Sequence, residues 1–330
     1  MGAATAYKGL FSIIAVCALA LVGCGGDSDF TSAYKPPESG RPAQPASAFP
    51  QASGSTLREV LQSTDAPLIS LGLRIEPTAM VFDKGRNRYP IQITTKEGAP
   101  VDDVDLALYL AKVPKPKPRK GRAGKAPTSP AQGLDSVAQG PFPARMETLA
   151  TDPQFTARST AEDPHSATAV YVGELNFPAE GEWVVGAVVK KGEETFSTVL
   201  PQVTVGEFQR FPKVGQRAPA IPDIASALGK EPILLVFASP KFSSNRTAGP
   251  TLDVAKQVAG HFQGQAAFIN VEIYNDNDPS KGVRPQVRAY RLPTEPWLFG
   301  IDRQGRIVGE VEGAIGVAEL TRLVERAIEK

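Results

Sequence analysis

The chain has 330 residues, 42% of them hydrophobic, and a formal net charge of +1. That length accommodates two ordinary domains, each with its own core, and that apolar content excludes wholesale disorder. The near-neutral balance excludes a whole-molecule field that would gather nucleic acid, so no nucleic-acid partner is expected.

In chain order, the first 24 residues have the shape of a targeting segment. Lys8 lies near the start, an apolar run extends from Leu10 to Val22, and small residues follow. The run is too short for an ordinary spanning helix and fits a signal-peptide core. It ends in Leu21-Val22-Gly23-Cys24, which resembles the bacterial lipobox. The resemblance implies that residues 1–23 are removed and that Cys24 carries lipid on its sulfur. The mature protein would then be a lipoprotein of the cell envelope, held to a membrane on its extracytoplasmic side by palmitate-like acyl chains. Cys17 is the only other cysteine, so removal of the signal leaves no free thiol.

Residues 24–66 begin at the lipidated cysteine and are rich in Pro, Ser, Ala and Gly. They read as a flexible tether, with a helical turn or two over "TLREVLQ". From 67 to 207 the period is two. Val104, Leu106, Leu108 and Leu110 alternate with Asp105, Ala107 and Tyr109, as in a strand with one buried face. "TAVYVGEL", "GEWVVGAVVKK" and "TFSTVLPQVTV" add further β-rich runs divided by turn residues. An antiparallel sandwich of about seven strands follows. "LNFPAEGEWVVGAVV" resembles the closing hairpin of bacterial Ig-like envelope domains, a likeness that implies a core position for Trp183. The segment Ala111–Pro127 interrupts the strands with seven basic residues and alternating prolines. It predicts an extended loop, either simply solvated or drawn to an anionic surface such as lipid headgroups.

Over 208–330 the rhythm changes to alternating strand and helix. "PILLVFAS" and "AAFINVEIY" are apolar runs suited to strands buried on both faces. Between them "TLDVAKQVAGHF" places Leu252, Ala255, Ala259 and Phe262 on one helical stripe. "PWLFGID" and "RIVGEVEG" form a hairpin, and Val317, Leu320, Val324, Ala327 and Ile328 line a closing helix.

This order resembles the thioredoxin-like fold, and more narrowly its TlpA/ResA and peroxiredoxin branch, on "PKVGQRAPAIP" and "PTEPWLFGIDRQGRIVGEVEG". The fold class implied is multidomain, an all-β Ig-like sandwich followed by an α/β thioredoxin-like domain. In active members of the branch, two cysteines stand in the loop after the first core strand, in a pattern F-C-x-x-x-x-C-G-P. Here Phe242 and Gly249-Pro250 match, while Ser243 and Ala248 occupy the cysteine positions. A serine hydroxyl forms no mixed disulfide, so thiol exchange by this chain is not expected. Pro296 matches the branch's cis-proline, with Glu295 before it.

Hydrolytic use of Ser243 would need a base. The chain has two histidines. His261 falls at the far end of the following helix, and His165 falls in a loop of the β-rich part. "YNDNDPSKG" lacks EF-hand spacing and reads as a turn, and Arg284, Arg288 and Arg291 share a helical face. Neither a metal nor a cofactor is expected. The expectation is a non-enzymatic binding or scaffolding module for an envelope protein or peptide. Its groove would be formed by Ser243, Ser244, Asn245, Arg246 and Thr247 opposite Glu295, Pro296 and Trp297. The alternative is an accessory role in an envelope redox system beside a cysteine-bearing partner.

Overall fold

The computed structural model describes residues 40–64, 72–115, 130–208, 210–243 and 246–330. Cys24, the greater part of the basic loop (116–127), Ser244 and Asn245 lie outside these residues.

The N-terminal part of the described chain departs from the tether expected over 24–66. Thr56 caps helix α1 (Leu57–Gln62) in a capping box: its hydroxyl accepts from Glu59 N–H, and the Glu59 carboxylate accepts from Thr56 N–H. Leu57, Val60 and Leu61 are buried, together with Phe49 and Ala52. The reason is amphipathic burial that a Pro/Ser/Gly-rich composition conceals. Three apolar residues at helical spacing suffice when a sheet offers them an apolar outer face.

That sheet comprises β1 (Leu73–Pro77), β2 (Gly85–Thr95), β3 (Asp105–Lys112), β4 (Ala138–Thr148), β5 (Ala169–Phe177), β6 (Gly181–Lys191), β7 (Glu194–Val199) and β8 (Val203–Val205). Its order is β1-β2-β5-β4-β3-β6-β7, with β8 also on β6, and every pairing is antiparallel. Strand β4 turns the corner. Ala138–Ala144 pair with β3, whereas Arg145–Thr148 pair with β5, and the register slips opposite Leu108–Leu110. The sheet therefore folds over one core that includes Ile91, Ile93, Leu108, Tyr171, Phe177 and Trp183. Trp183 is a core residue, and its ring N–H donates to Ala179 C=O at 2.9 Å.

Two short helices, α2 (Pro130–Leu134) and α3 (Arg158–Ala161), interrupt the strands. The alternation in β3 does not mark a water-facing side, since Ala107 and Tyr109 are both fully buried. They face Phe49, Leu57 and Leu61 in a second cluster on the outside of the fold. Gly186 permits this close docking, because a Cβ there would stand 2.8 Å from Leu57 Cδ1. Tyr109 Oη donates to Pro50 C=O at 2.7 Å, which satisfies the phenol inside the cluster.

The α/β part consists of β9 (Ile233–Phe237), α4 (Ala248–His261), β10 (Ala267–Val271), α5 (Pro285–Tyr290), β11 (Trp297–Ile301), β12 (Ile307–Glu312) and α6 (Val317–Glu329). The strand order is β10-β9-β11-β12. β10 runs parallel to β9, while β11 is antiparallel to both β9 and β12. This is the β-α-β, β-β-α arrangement that the sequence resemblance implies. The expected stripe on α4 is displaced, however. Val254, Ala255 and Val258 are fully buried, and so are Asp253 and Gln257 at 1% exposure each. A second surface covers α4, and the polar residues face it.

Both parts belong to one compact unit, and polar bonds run between them. Arg88 on β2 donates Nε to both carboxylate oxygens of Glu319 on α6, at 2.9 and 3.0 Å, and Nη2 to Ala314 C=O at 2.6 Å. Arg145 pairs with Glu147 and Glu319, and Glu147 accepts from Gly316 N–H at 3.1 Å. Glu312 accepts from the N–H groups of Met80 and Val81 at 3.0 and 2.8 Å. These acids are satisfied by donors, yet burial still raises the pKa of Glu147 and of Glu312.

Candidate functional site

The site lies at the C-terminal end of β9, where the chain leaves the sheet and enters α4. Phe237, Ala238 and Ser239 are buried. Pro240, Lys241, Ser243 and Arg246 then line a cavity of about 560 Å³ with Gly249 and Pro250 at the start of α4. Phe242 turns edge-on to Tyr274, with ring centroids 5.5 Å apart. Ala248 and Thr247 are fully buried, so the position matching the second cysteine faces protein.

The peptide bond between Glu295 and Pro296 is cis. The expected groove nevertheless does not assemble as a row. Trp297 is 2% exposed. It belongs to the core, with its ring against Phe211 and its N–H on Thr294 Oγ1 at 3.0 Å. Pro296 is buried, and its C=O accepts from Gly313 N–H at 2.9 Å. Strand alternation explains the difference, since a residue that opens β11 under a covering segment turns its ring inward.

Glu295 takes up the space between the two walls. Its Oε2 accepts from Ser239 N–H at 2.5 Å. Burial, opposed by that hydrogen bond and reinforced by Glu272, pushes its carboxyl up to about 7. Tyr274 shares the surroundings, and its pKa is raised by burial and by the charges of Glu295 and Glu272. An ordinary acid is thus held against the loop that follows β9.

Sequence reasoning missed the far wall entirely. The segment between β4 and β5 docks on α4. Ala157 N–H donates to Asp253 Oδ2 at 2.9 Å, and Asp152 N–H donates to Gln257 Oε1 at 2.7 Å. Farther along, Arg246 Nη1 meets Asp163 Oδ2 at 2.5 Å. Burial opposes ionisation of Asp163, but the His165 N–H and the Arg246 guanidinium outweigh it and lower the pKa. Ser159, Thr160, Asp163 and Ser166 thereby close the cavity from the β side. The sequence carries no local signal for this wall, because Asp253 and Gln257 read as the ordinary polar side of α4.

The remaining residues singled out by sequence separate. His261 ends α4 beside Phe155, with ring centroids 6.3 Å apart, and burial lowers its pKa. The 14 residues of α4 set it about 20 Å along the axis from the loop of Ser243. His165 is half-buried rather than exposed, because the docked segment folds it over Gly98. Arg284, Arg288 and Arg291 do not form one face: α5 is a six-residue helix that Arg284 precedes and Arg291 caps in the left-handed region. Asp276 pairs with Lys281 at 2.9 Å, and Asp278 caps the Pro279–Lys281 turn. Among the described residues no group of three or more His, Cys, Asp and Glu gathers as a metal site.

No family model and no curated protein matches the chain. Solved structures similar to it include a thiol:disulfide interchange protein, thioredoxin family protein, from Chlorobium tepidum TLS, at 17% identity and a TM-score of 0.26, over 37% of this chain and 99% of that one. A thioredoxin-like protein in the oxidized form is similar at 16% identity and a TM-score of 0.27, over 36% of this chain and 96% of its own. A thioredoxin-like superfamily protein is similar at 14% identity and a TM-score of 0.27, over 36% of this chain and 95% of its own.

Proposed function

We propose that this chain is a lipid-anchored envelope protein whose thioredoxin-like domain binds a peptide segment of a partner without covalent chemistry. The observation that carries the reading is the cavity of about 560 Å³ beside Ser243 and the start of α4. The sequence resemblance puts a thiol active site at this loop, with Ser243 and Ala248 at its cysteine positions. No cysteine follows Cys24, so residues 25–330 hold neither a dithiol to give two electrons to a partner's disulfide nor a disulfide to take them from a partner's thiols. The lining of hydroxyls, Lys241, Asn277 and Glu272 suits the amides and mixed charges of a peptide more than an apolar ligand.

Anchoring through Cys24 and an extracytoplasmic location rest on the lipobox resemblance. An Ig-like identity for the β part is supported by its strand order. The sequences β1-β2-β5-β4 and β4-β3-β6-β7 correspond to the A-B-E-D and G-F-C faces of such sandwiches, with β4 serving both. In this reading the sandwich lifts the cavity away from the membrane and forms one of its walls.

The test uses the full chain with Cys17 and Cys24 replaced by serine. Peptides selected from a random dodecamer library should bind it, and Ser243→Trp, which fills the cavity, should weaken them at least tenfold. Insulin reduction above the buffer rate, or binding indifferent to Ser243→Trp, would overturn the reading.

A further inference from the structure

A second cavity meets the first at Arg246. It measures about 280 Å³ and lies over the outer face of β1 and β2, with Gln92 and Thr94 at its floor and Gly98, His165 and Arg246 around it. Gln92 and Thr94 are only 4% and 9% exposed. Gln92 faces this cavity because Ile91 and Ile93, on either side of it, take the core side of the strand. Among the described residues none hydrogen-bonds its carboxamide. His165 Nδ1 is shut off from solvent without a partner. The imidazole can lie there because position 98 has no side chain: a Cβ on Gly98, at φ +93, would stand 3.3 Å from Nδ1.

A buried polar group left unpaired costs about 1–3 kcal/mol, and folded proteins keep few of them. The Gln92 carboxamide, unlike His165 Nδ1, opens onto the cavity, so a ligand group there can pair with it. Its charge can be read from the rim. Arg74 lines it together with Glu76 and Glu97, and Arg246 is already held by Asp163. Two cations against three anions give no field that selects an anion, and the floor is neutral. A carboxamide presents a donor and an acceptor side by side, and another carboxamide matches both with two hydrogen bonds.

We propose that this cavity is a subsite for a carboxamide side chain, asparagine or glutamine, carried by the peptide that lies beside α4. The assignment rests on the peptide-binding reading above. Arg246 stands between the two cavities, so a peptide passing it would place one segment on Ser243 and a neighbouring side chain on Gln92.

The experiment titrates acetamide and, separately, sodium acetate into the isotope-labelled full chain and follows the NMR signals of the Gln92 NH2 group, Thr94 and Gly98. Acetamide should shift them saturably, with acetate at least tenfold weaker. Gln92→Met, which preserves volume, should abolish the acetamide response at Thr94 and Gly98. Three results would each overturn the subsite: no saturable shift, meaning that water alone fills the cavity; an equal or stronger response to acetate; or a response that survives Gln92→Met. The wild-type comparison of the two probes stands even if the variant folds poorly. Loss of the subsite with retained dodecamer binding at Ser243 removes this inference alone, whereas loss of both removes the peptide groove.

Discussion

Glu295 and Ser239 are joined by a hydrogen bond of 2.5 Å from the Ser239 N–H to Oε2, across the gap between the last residues before β11 and the end of β9. A titratable side chain thus bridges the segment before β11 and the loop after β9. The bridge has consequences for pH.

The carboxyl of Glu295 titrates near 4.5 when unfolded and at about 7 when folded. The folded state binds this proton more tightly, so its contribution to stability is fully present below pH 4.5 and is lost as pH rises through 7. Discounted for solvent screening of a partly exposed group, the loss is on the order of 1–2 kcal/mol. Glu295→Gln keeps an acceptor for Ser239 and has nothing to titrate. Thermal midpoints at pH 5 and pH 8 should therefore fall further in the wild type than in the variant. Equal falls would show that Glu295 does not titrate in this range.

Arg88→Met should destabilise the protein by about 3 kcal/mol, because it removes the Nε donor that both Glu319 oxygens share, in a site where both side chains are largely buried, and leaves only Arg145 beside that carboxylate. Ala314 C=O loses its donor at the same time. Urea unfolding of the full chain measures the effect, and backbone amides around Gly316 should exchange faster. A change under about 0.5 kcal/mol would mean that the pair contributes no more than an exposed ion pair does.

Thr56→Ala removes one arm of the capping box and should cost about 1 kcal/mol. Leu57→Ala should cost about 2–5 kcal/mol, since its side chain is fully buried against Gly186 and β6. If residues 40–64 were a tether, both variants would unfold at the wild-type urea concentration.

Asp253→Ala should release the segment between β4 and β5 from α4, because Ala157 N–H and Lys256 both lose their partner. Hydrogen exchange at Phe155–Ala161 is expected to quicken while β9 and β11 remain protected. The dodecamers selected on the wild type should bind more weakly, as one wall of the cavity moves. Unchanged exchange over that segment would show that Gln257 alone suffices to hold it.

Much of the α/β part was legible because its signals are local. The apolar runs of β9 and β11, the stripe on α6 and the proline before Trp297 each fix a structure within a few residues. So does the β-rich period of Leu106, Leu108 and Leu110. The composition also fixes where thiols can stand, since both cysteines lie within the first 24 residues and residues 25–330 carry none. Tertiary structure decided the rest, because burial depends on what comes to lie opposite a residue. Tyr109 reads as water-facing by alternation and is enclosed by α1. Trp297 reads as part of a groove and turns into the core. Asp253 and Gln257 read as the polar side of a helix and instead hold the wall of the cavity. Periodicity reports that a face is apolar, but contacts between residues 59 to 105 apart in the chain set which polar face meets water. That pairing of distant surfaces, more than any motif, brings the segment between β4 and β5 against α4 beside the loop of Ser243.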